Sequence, residues 1–377
     1  MLRLLLLPAS FLAQRTLAAC GCGYAINTRP SSTTSEQTIF TQSLQTDFTR
    51  TEDVTWDSSP GPNWRVQAYN VTPAASRGPY GKAADVRNVV WSQLPPGSSG
   101  GQGVHGGDPG LQLWVRSQRM SDDDDSSGQM VPMAEVVSTR NDILYGSFRA
   151  SMMSTAVSGT CAGFFFYHND SQEIDMEILS RQTQDVDQGG WKINLINQSP
   201  ASVLSGYNAA NTSGFGVYGL SFNPAGVYAE YRFDWLPDRI DFYIDGILAW
   251  NITDSVPTSP GAIHLIHWSN GDPGWSAGPP EQDAVLTVSY VHAFFNSSED
   301  GTKPMGAPCD DTTCSVPDGL GSPPQPNVPD PNATGLATST SSTSTPTQRS
   351  ETSKLLSSIP LLWCVIVGLE LLNDGWL

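Results

Sequence analysis

Glu173, Asp175 and Glu177 stand at i, i+2 and i+4 in Ser171-Gln172-Glu173-Ile174-Asp175-Met176-Glu177-Ile178-Leu179. A β-strand has a side-chain period of two. On a strand the three carboxylates therefore project from one face, and Ile174, Met176 and Ile178 from the other, which must meet a core. On a helix, i and i+4 share a face but i+2 does not. Neighbouring like charges resist ionising together, so folding alone does not call for this row. Two-carboxylate sugar chemistry does: it uses an ionised nucleophile, an acid with a raised pKa, and a third group that tunes them. Two other readings fit the segment. One is a solvated face of an edge strand. The other is a Ca²⁺ site, although the Asp/Asn/Gly spacing of a calcium-binding loop is missing.

The elements that must position this row are also legible. Trp64-Arg65-Val66-Gln67-Ala68-Tyr69, Leu111-Gln112-Leu113-Trp114-Val115 and Tyr228-Ala229-Glu230-Tyr231-Arg232-Phe233 alternate with period two. So does the long run 284–294. Clusters of Gly, Pro, Asn and Asp separate these runs, and no long helical period precedes residue 355, so an all-β sandwich is expected. Asp245-Gly246, between Phe242-Tyr243-Ile244 and Ile247-Leu248-Ala249, is a hairpin signal. Residues 35–300 are read as one catalytic domain, preceded by a short N-terminal segment, 20–34.

The ends read differently. Residues 1–19 join a basic start, a short apolar run and small residues, the layout of a secretory signal peptide. Leu17-Ala18-Ala19-Cys20 also matches a lipoprotein cleavage box. Residues 301–354 turn Pro/Gly-rich and then Ser/Thr-rich, as expected of a disordered, O-glycosylated stalk. Residues 355–377 are an apolar tail laid out like a GPI-anchor signal, with attachment expected in 339–344. Pro360 and Glu370 interrupt the tail, and a transmembrane anchor is the alternative. N-glycosylation sequons begin at Asn70, Asn169, Asn197, Asn211, Asn251, Asn296 and Asn332; Pro200 weakens the one at Asn197. A glycan on Asn169 would crowd the acid row. A secreted, surface-attached monomer is expected.

The six cysteines are Cys20, Cys22, Cys161, Cys309, Cys314 and Cys364. In a secreted chain they suggest disulfides rather than zinc. Cys309 could close a short loop with Cys314, and Cys161 could reach Cys20 or Cys22; the sequence leaves the connectivity open. Asp and Glu number 37 against 19 Lys and Arg, a net charge of −18. That balance excludes nucleic acid and anionic membrane as natural partners and is indifferent to a neutral polysaccharide. The run Asp122-Asp123-Asp124-Asp125 reads as a solvated loop. A structural calcium ion at 121–128 is the one metal left open, and no cofactor is expected.

Glu-Ile-Asp-Met-Glu resembles the Glu-x-Asp-x-Glu signature of glycoside hydrolase family 16. Leu144-Tyr145-Gly146-Ser147-Phe148-Arg149-Ala150 resembles the strand that precedes the site in that family. Asp241-Phe242-Tyr243-Ile244-Asp245-Gly246 resembles its hairpin, with Phe242 where Trp is often found. The resemblance spans about residues 35–298 and extends to fungal surface members. It implies a two-sheet antiparallel jelly-roll sandwich, concanavalin A-like, and a β-glucanase acting on β-1,3 or β-1,3/1,4-glucan. It makes Glu173 the nucleophile and Glu177 the general acid/base, with Asp175 between them hydrogen-bonded to Glu173. On a flat strand the Cα atoms of Glu173 and Glu177 would lie about 13 Å apart. Their side chains must lean together on a concave strand to give retaining chemistry. A transglycosylase using the same glutamates, a non-catalytic glycan-binding module and a structural wall protein are the alternatives. Because sugars stack on aromatic rings, substrate contacts are expected from Trp268, Trp275, Trp191, Asn197, Tyr167 and His267.

Overall fold

In a computed structural model the described residues are 20–29, 36–56, 61–93, 108–121, 128–183, 190–300, 312–318 and 325–326. The expected signal peptide, the acid run 122–125, Cys309, Cys364, the Ser/Thr-rich stalk and the tail lie outside them. Two large sheets face one another. The first runs Phe215–Gly219, Lys192–Gln198, Gln172–Leu179, Cys161–Asn169, Ala262–Trp268, Gln129–Ser138, Trp64–Val66 and Val54–Thr55, neighbour to neighbour. The second runs Ile247–Ile252, Arg239–Ile244, Ala229–Leu236, Ile143–Met153, Ala284–Ser297, Gly110–Val115 and Val89–Ser92. Pairing is antiparallel throughout these paths except between Val54–Thr55 and Trp64–Val66. This is the expected all-β, two-sheet jelly-roll sandwich.

Period two decides what each strand buries. Ile174, Met176 and Ile178 enter the core between the sheets with Phe164, Phe166, Phe233 and Trp235. Phe164 meets Phe233 at 5.3 Å between ring centres, and Phe166 meets Trp235 at 4.2 Å. Buried aromatic area of this kind dominates the energetics of such a core. The Asp245-Gly246 turn has φ of 48° and 76°, the positive pair that a tight type I′ hairpin demands and that Asp-Gly tolerates.

The outer face of the second sheet is not bare. Tyr24–Asn27, Gln37–Phe40 and Cys314–Ser315 form a small sheet that lays Ile26, Phe40 and Val316 on Leu236 and Phe294. Thr28 offers its carbonyl to the Tyr243 hydroxyl at 2.7 Å, and Pro317 offers its own to Arg149 Nη1 at 2.9 Å. Residues 312–318, assigned to the stalk on composition, are thus part of the folded body. Cys314 bonds Cys20, with Cα atoms 5.3 Å apart. The pairing of Cys314 with Cys309 is therefore corrected: strand register sets Tyr24 beside Cys314 and so brings Cys20 within reach. Cys161 joins neither Cys20 nor Cys22. It is buried at the start of its strand on the far side of the sandwich and forms no disulfide.

Candidate active site

The acid strand Gln172–Leu179 lies between Cys161–Asn169 and Lys192–Gln198, and its register fixes the neighbours of each carboxyl group. Glu173 sits opposite Tyr167 and Gln198, Asp175 opposite Phe165 and Ile196, and Glu177 opposite Gly163 and Asn194. All of these side chains project from the face turned away from the second sheet. Phe165, Ile196, Ile266, Trp268 and Trp275 make that face an apolar bed, with Tyr167 and Phe215 packed at its margin. Glu173, Asp175 and Glu177 are 1%, 3% and 2% exposed.

Burial without compensation costs a carboxylate dearly. Neither carboxyl oxygen of Glu173, nor Oδ1 of Asp175, accepts from an N–H, hydroxyl or thiol donor among the described residues. The hydrogen bond expected between Asp175 and Glu173 runs between the two carboxyl groups themselves, and it raises the pKa of Glu173 and lowers that of Asp175. Burial first, then the charge of Asp175, pushes the Glu173 carboxyl well above its ordinary value. Burial and then Glu177 do the same to Asp175, while contact with Glu173 pulls the other way. The row therefore holds protons to higher pH than isolated carboxyls would.

Glu177 is held differently. Its Oε2 accepts from Trp275 Nε1 at 3.0 Å and its Oε1 from Cys161 Sγ at 3.2 Å. Trp275 is itself fixed by its loop. Its backbone N–H donates to Asp272 at 3.1 Å, and Arg181 clamps the Trp275 and Gly274 carbonyls at 2.7 and 2.6 Å.

The expected contact residues divide by strand parity. Tyr167 lies directly across from Glu173 and donates its hydroxyl to Asp170 at 2.9 Å. Trp268 and Trp275 are on the acid face, Trp268 with Lys82 Nζ 4.6 Å from its ring centre. The other three are not there. His267 is one residue out of phase with Trp268. It is buried, with Nδ1 2.9 Å from the Leu113 carbonyl and Nε2 2.9 Å from Thr160 Oγ1, and burial lowers its pKa to about 4. Asn197 pairs with Ile174 rather than with an acid. Its amide donates to the carbonyls of Asp254 and Ser255 at 3.1 and 3.0 Å, and the side chain is buried away from the acid face. Trp191 packs against the core between the sheets.

Reading the motif alone missed a second polar group on the acid face. His264 stacks on Phe165 at 4.5 Å and holds Glu135 Oε1 at 2.7 Å, while Tyr69 donates to Glu135 Oε2. Counting in twos from Trp268 back to His264 would have found it. Among the described residues no cluster of three or more His, Cys, Asp or Glu offers a metal site.

The model for glycosyl hydrolases family 16 matches residues 108–286. A β-glucanase of Acetivibrio thermocellus is 26% identical over 197 residues, 51% of this chain and 52% of that protein. A β-glucanase of Bacillus subtilis is 30% identical over 130 residues, 33% of this chain and 47% of that protein. The chain thus spans about half the length of the β-glucanases it matches. Among solved structures, a β-1,3-1,4-glucanase (lichenase) from a mouse hindgut metagenome has a TM-score of 0.47 at 19% identity, covering 67% of this chain and 98% of that one. An apo transglycosylase has a TM-score of 0.43 at 16% identity, covering 72% and 87%. The matched segment carries the acid strand, both of its neighbours and the loop that bears Trp275, and residues 108–286 are a glycosyl hydrolases family 16 segment.

Proposed function

We propose that the chain is a retaining endo-β-glucanase that cleaves β-1,3 or β-1,3/1,4-glucan through a glycosyl-enzyme intermediate. The observation that carries this reading is the row of three buried carboxylates on one face, with both oxygens of Glu177 engaged by donors. By the resemblance Glu173 is the nucleophile; burial holds its proton, so it must ionise before it attacks an anomeric carbon. By the same resemblance Glu177 is the acid/base that delivers a proton to the leaving oxygen and later takes one from water, and the donors at its two oxygens orient the carboxyl group for that exchange. Asp175, opposite Phe165 and between the two, raises the cost of ionising the whole row and so favours one retained proton. The aromatic surround would receive sugar faces, with Tyr167, Trp268 and Trp275 nearest the acids.

A transglycosylase reading draws on a specific feature, the apolar burial of the row. A site that admits little water favours transfer to a second sugar. Incubation with β-1,3-glucan and β-1,3/1,4-glucan, with and without an added acceptor oligosaccharide, tests both readings. New reducing ends of retained anomeric configuration support hydrolysis, and lengthened acceptors support transfer. No product of either kind from any β-glucan would sink the assignment. The Cys20–Cys314 disulfide supports the companion proposal of export to an oxidising compartment.

A further inference from the structure

Cys161 is used in no disulfide and belongs to no part of the reaction described so far, yet it lies against the group proposed to carry the proton. Gly163, not Cys161, is directly opposite Glu177. A Cβ on Gly163 would meet Ile266 Cγ2 at 2.9 Å and Glu177 Cγ at 3.9 Å. The missing side chain leaves the Glu177 carboxyl room to lie over the neighbouring strand. It leans diagonally to Cys161, two residues along, and the thiol meets Oε1 while the Trp275 indole meets Oε2.

We propose that Cys161 and Trp275 are paired positioning residues for Glu177, one donor to each carboxyl oxygen, and that together they set its orientation and its hold on a proton. Two donors on one carboxylate favour its charged form, and they oppose burial and the charges around it. On its own strand those charges are Asp175 and Glu173; on the same face buried Lys82 lies over Trp268, and Arg181 and Asp272 hold the loop of Trp275. From the neighbouring strand, Asn194 donates to the backbone carbonyl of Glu177 at 3.2 Å. The indole is the stronger donor and the thiol the weaker. The pair also restrains rotation of the carboxyl group, so its loss frees the group to leave the line of the leaving oxygen.

This inference rests on Glu177 being the acid/base of the proposed reaction, and its test is chosen to be read without substrate. The full-length protein, labelled with ¹³C at the glutamate side-chain carboxyl, is titrated by NMR, with the Glu177 signal identified by its loss in Glu177→Gln. Trp275→Phe should raise the Glu177 midpoint by about 1 pH unit and Cys161→Ala by about 0.5. Cys161→Ser, which restores a donor, should titrate no higher than the unaltered protein. Variants with unchanged near-UV circular dichroism and midpoints that coincide with the unaltered protein would overturn the proposal. A shift in Trp275→Phe with none in Cys161→Ala would remove Cys161 from it. Failure to cleave any glucan would count against the proposed function and leave this titration standing.

Discussion

Two rows of strand carboxylates share a spacing and differ in what stands beside them. On the outer face of the second sheet, Arg232 and Asp234 at i and i+2 meet at 2.6 Å, and Arg239 and Asp241 at 2.8 Å. Arg232 and Asp234 are almost fully buried, at 1% and 0% side-chain exposure. On the outer face of the first sheet, Glu173, Asp175 and Glu177 repeat the same interval with like charges only. Period two brings side chains together in both places. In one, each charge has its opposite and the row is complete within the fold. In the other, like charges crowd one another and burial and repulsion raise the pKa of Glu173 and Asp175. Spacing identifies which side chains meet, and sign decides whether they serve architecture or chemistry.

The contrast can be broken most forcefully at the acid row. Glu177→Gln should lower turnover about 10³-fold, and Glu173→Gln by at least as much, both measured on β-glucan with folding checked by circular dichroism. Retained turnover in Glu173→Gln would remove it as nucleophile. The paired row should answer in stability. Asp234→Ala strands a buried guanidinium and should cost about 3–5 kcal/mol in urea unfolding, while turnover per folded molecule stays unchanged. Opening the disulfide with Cys20→Ser should cost about 3 kcal/mol, again without touching turnover.

The smaller effects sharpen the same contrast through pH. Glu173 has a raised folded pKa, so its burial weakens the fold as pH rises above the ordinary carboxylate range. Glu173→Gln should therefore melt about 1 kcal/mol more stable at neutral pH while being inactive. His267 runs the opposite way. Its folded pKa near 4 lies below the unfolded value of 6.5. Its contribution is present above pH 6.5 and is lost as pH falls toward 4, about 3 kcal/mol across that window. His267→Gln should flatten the stability profile there.

The acid row was legible because three residues at strand spacing leave little choice of face, and Asp245-Gly246 was legible because few dipeptides accept two positive φ angles. What escaped was parity and distance. His267 and Asn197 were named for their chemistry, yet each is one residue out of phase with the acid face, and a single step along a strand reverses a side chain. His264, in phase, was passed over because nothing beside it in sequence announces Glu135 or Tyr69. The Cys20–Cys314 bond joins residues 294 apart across a parallel pairing of two strand residues from each side. A Pro- and Gly-rich run gives no local sign that Cys314 and Ser315 will join a sheet.

That small sheet sits on the back of the molecule, behind the second sheet, while the acids open from the front of the first. The Cys20–Cys314 bond therefore closes the chain's two far-separated segments on the side of the sandwich opposite the acid row, so opening it would loosen the back of the molecule before it reached the acids.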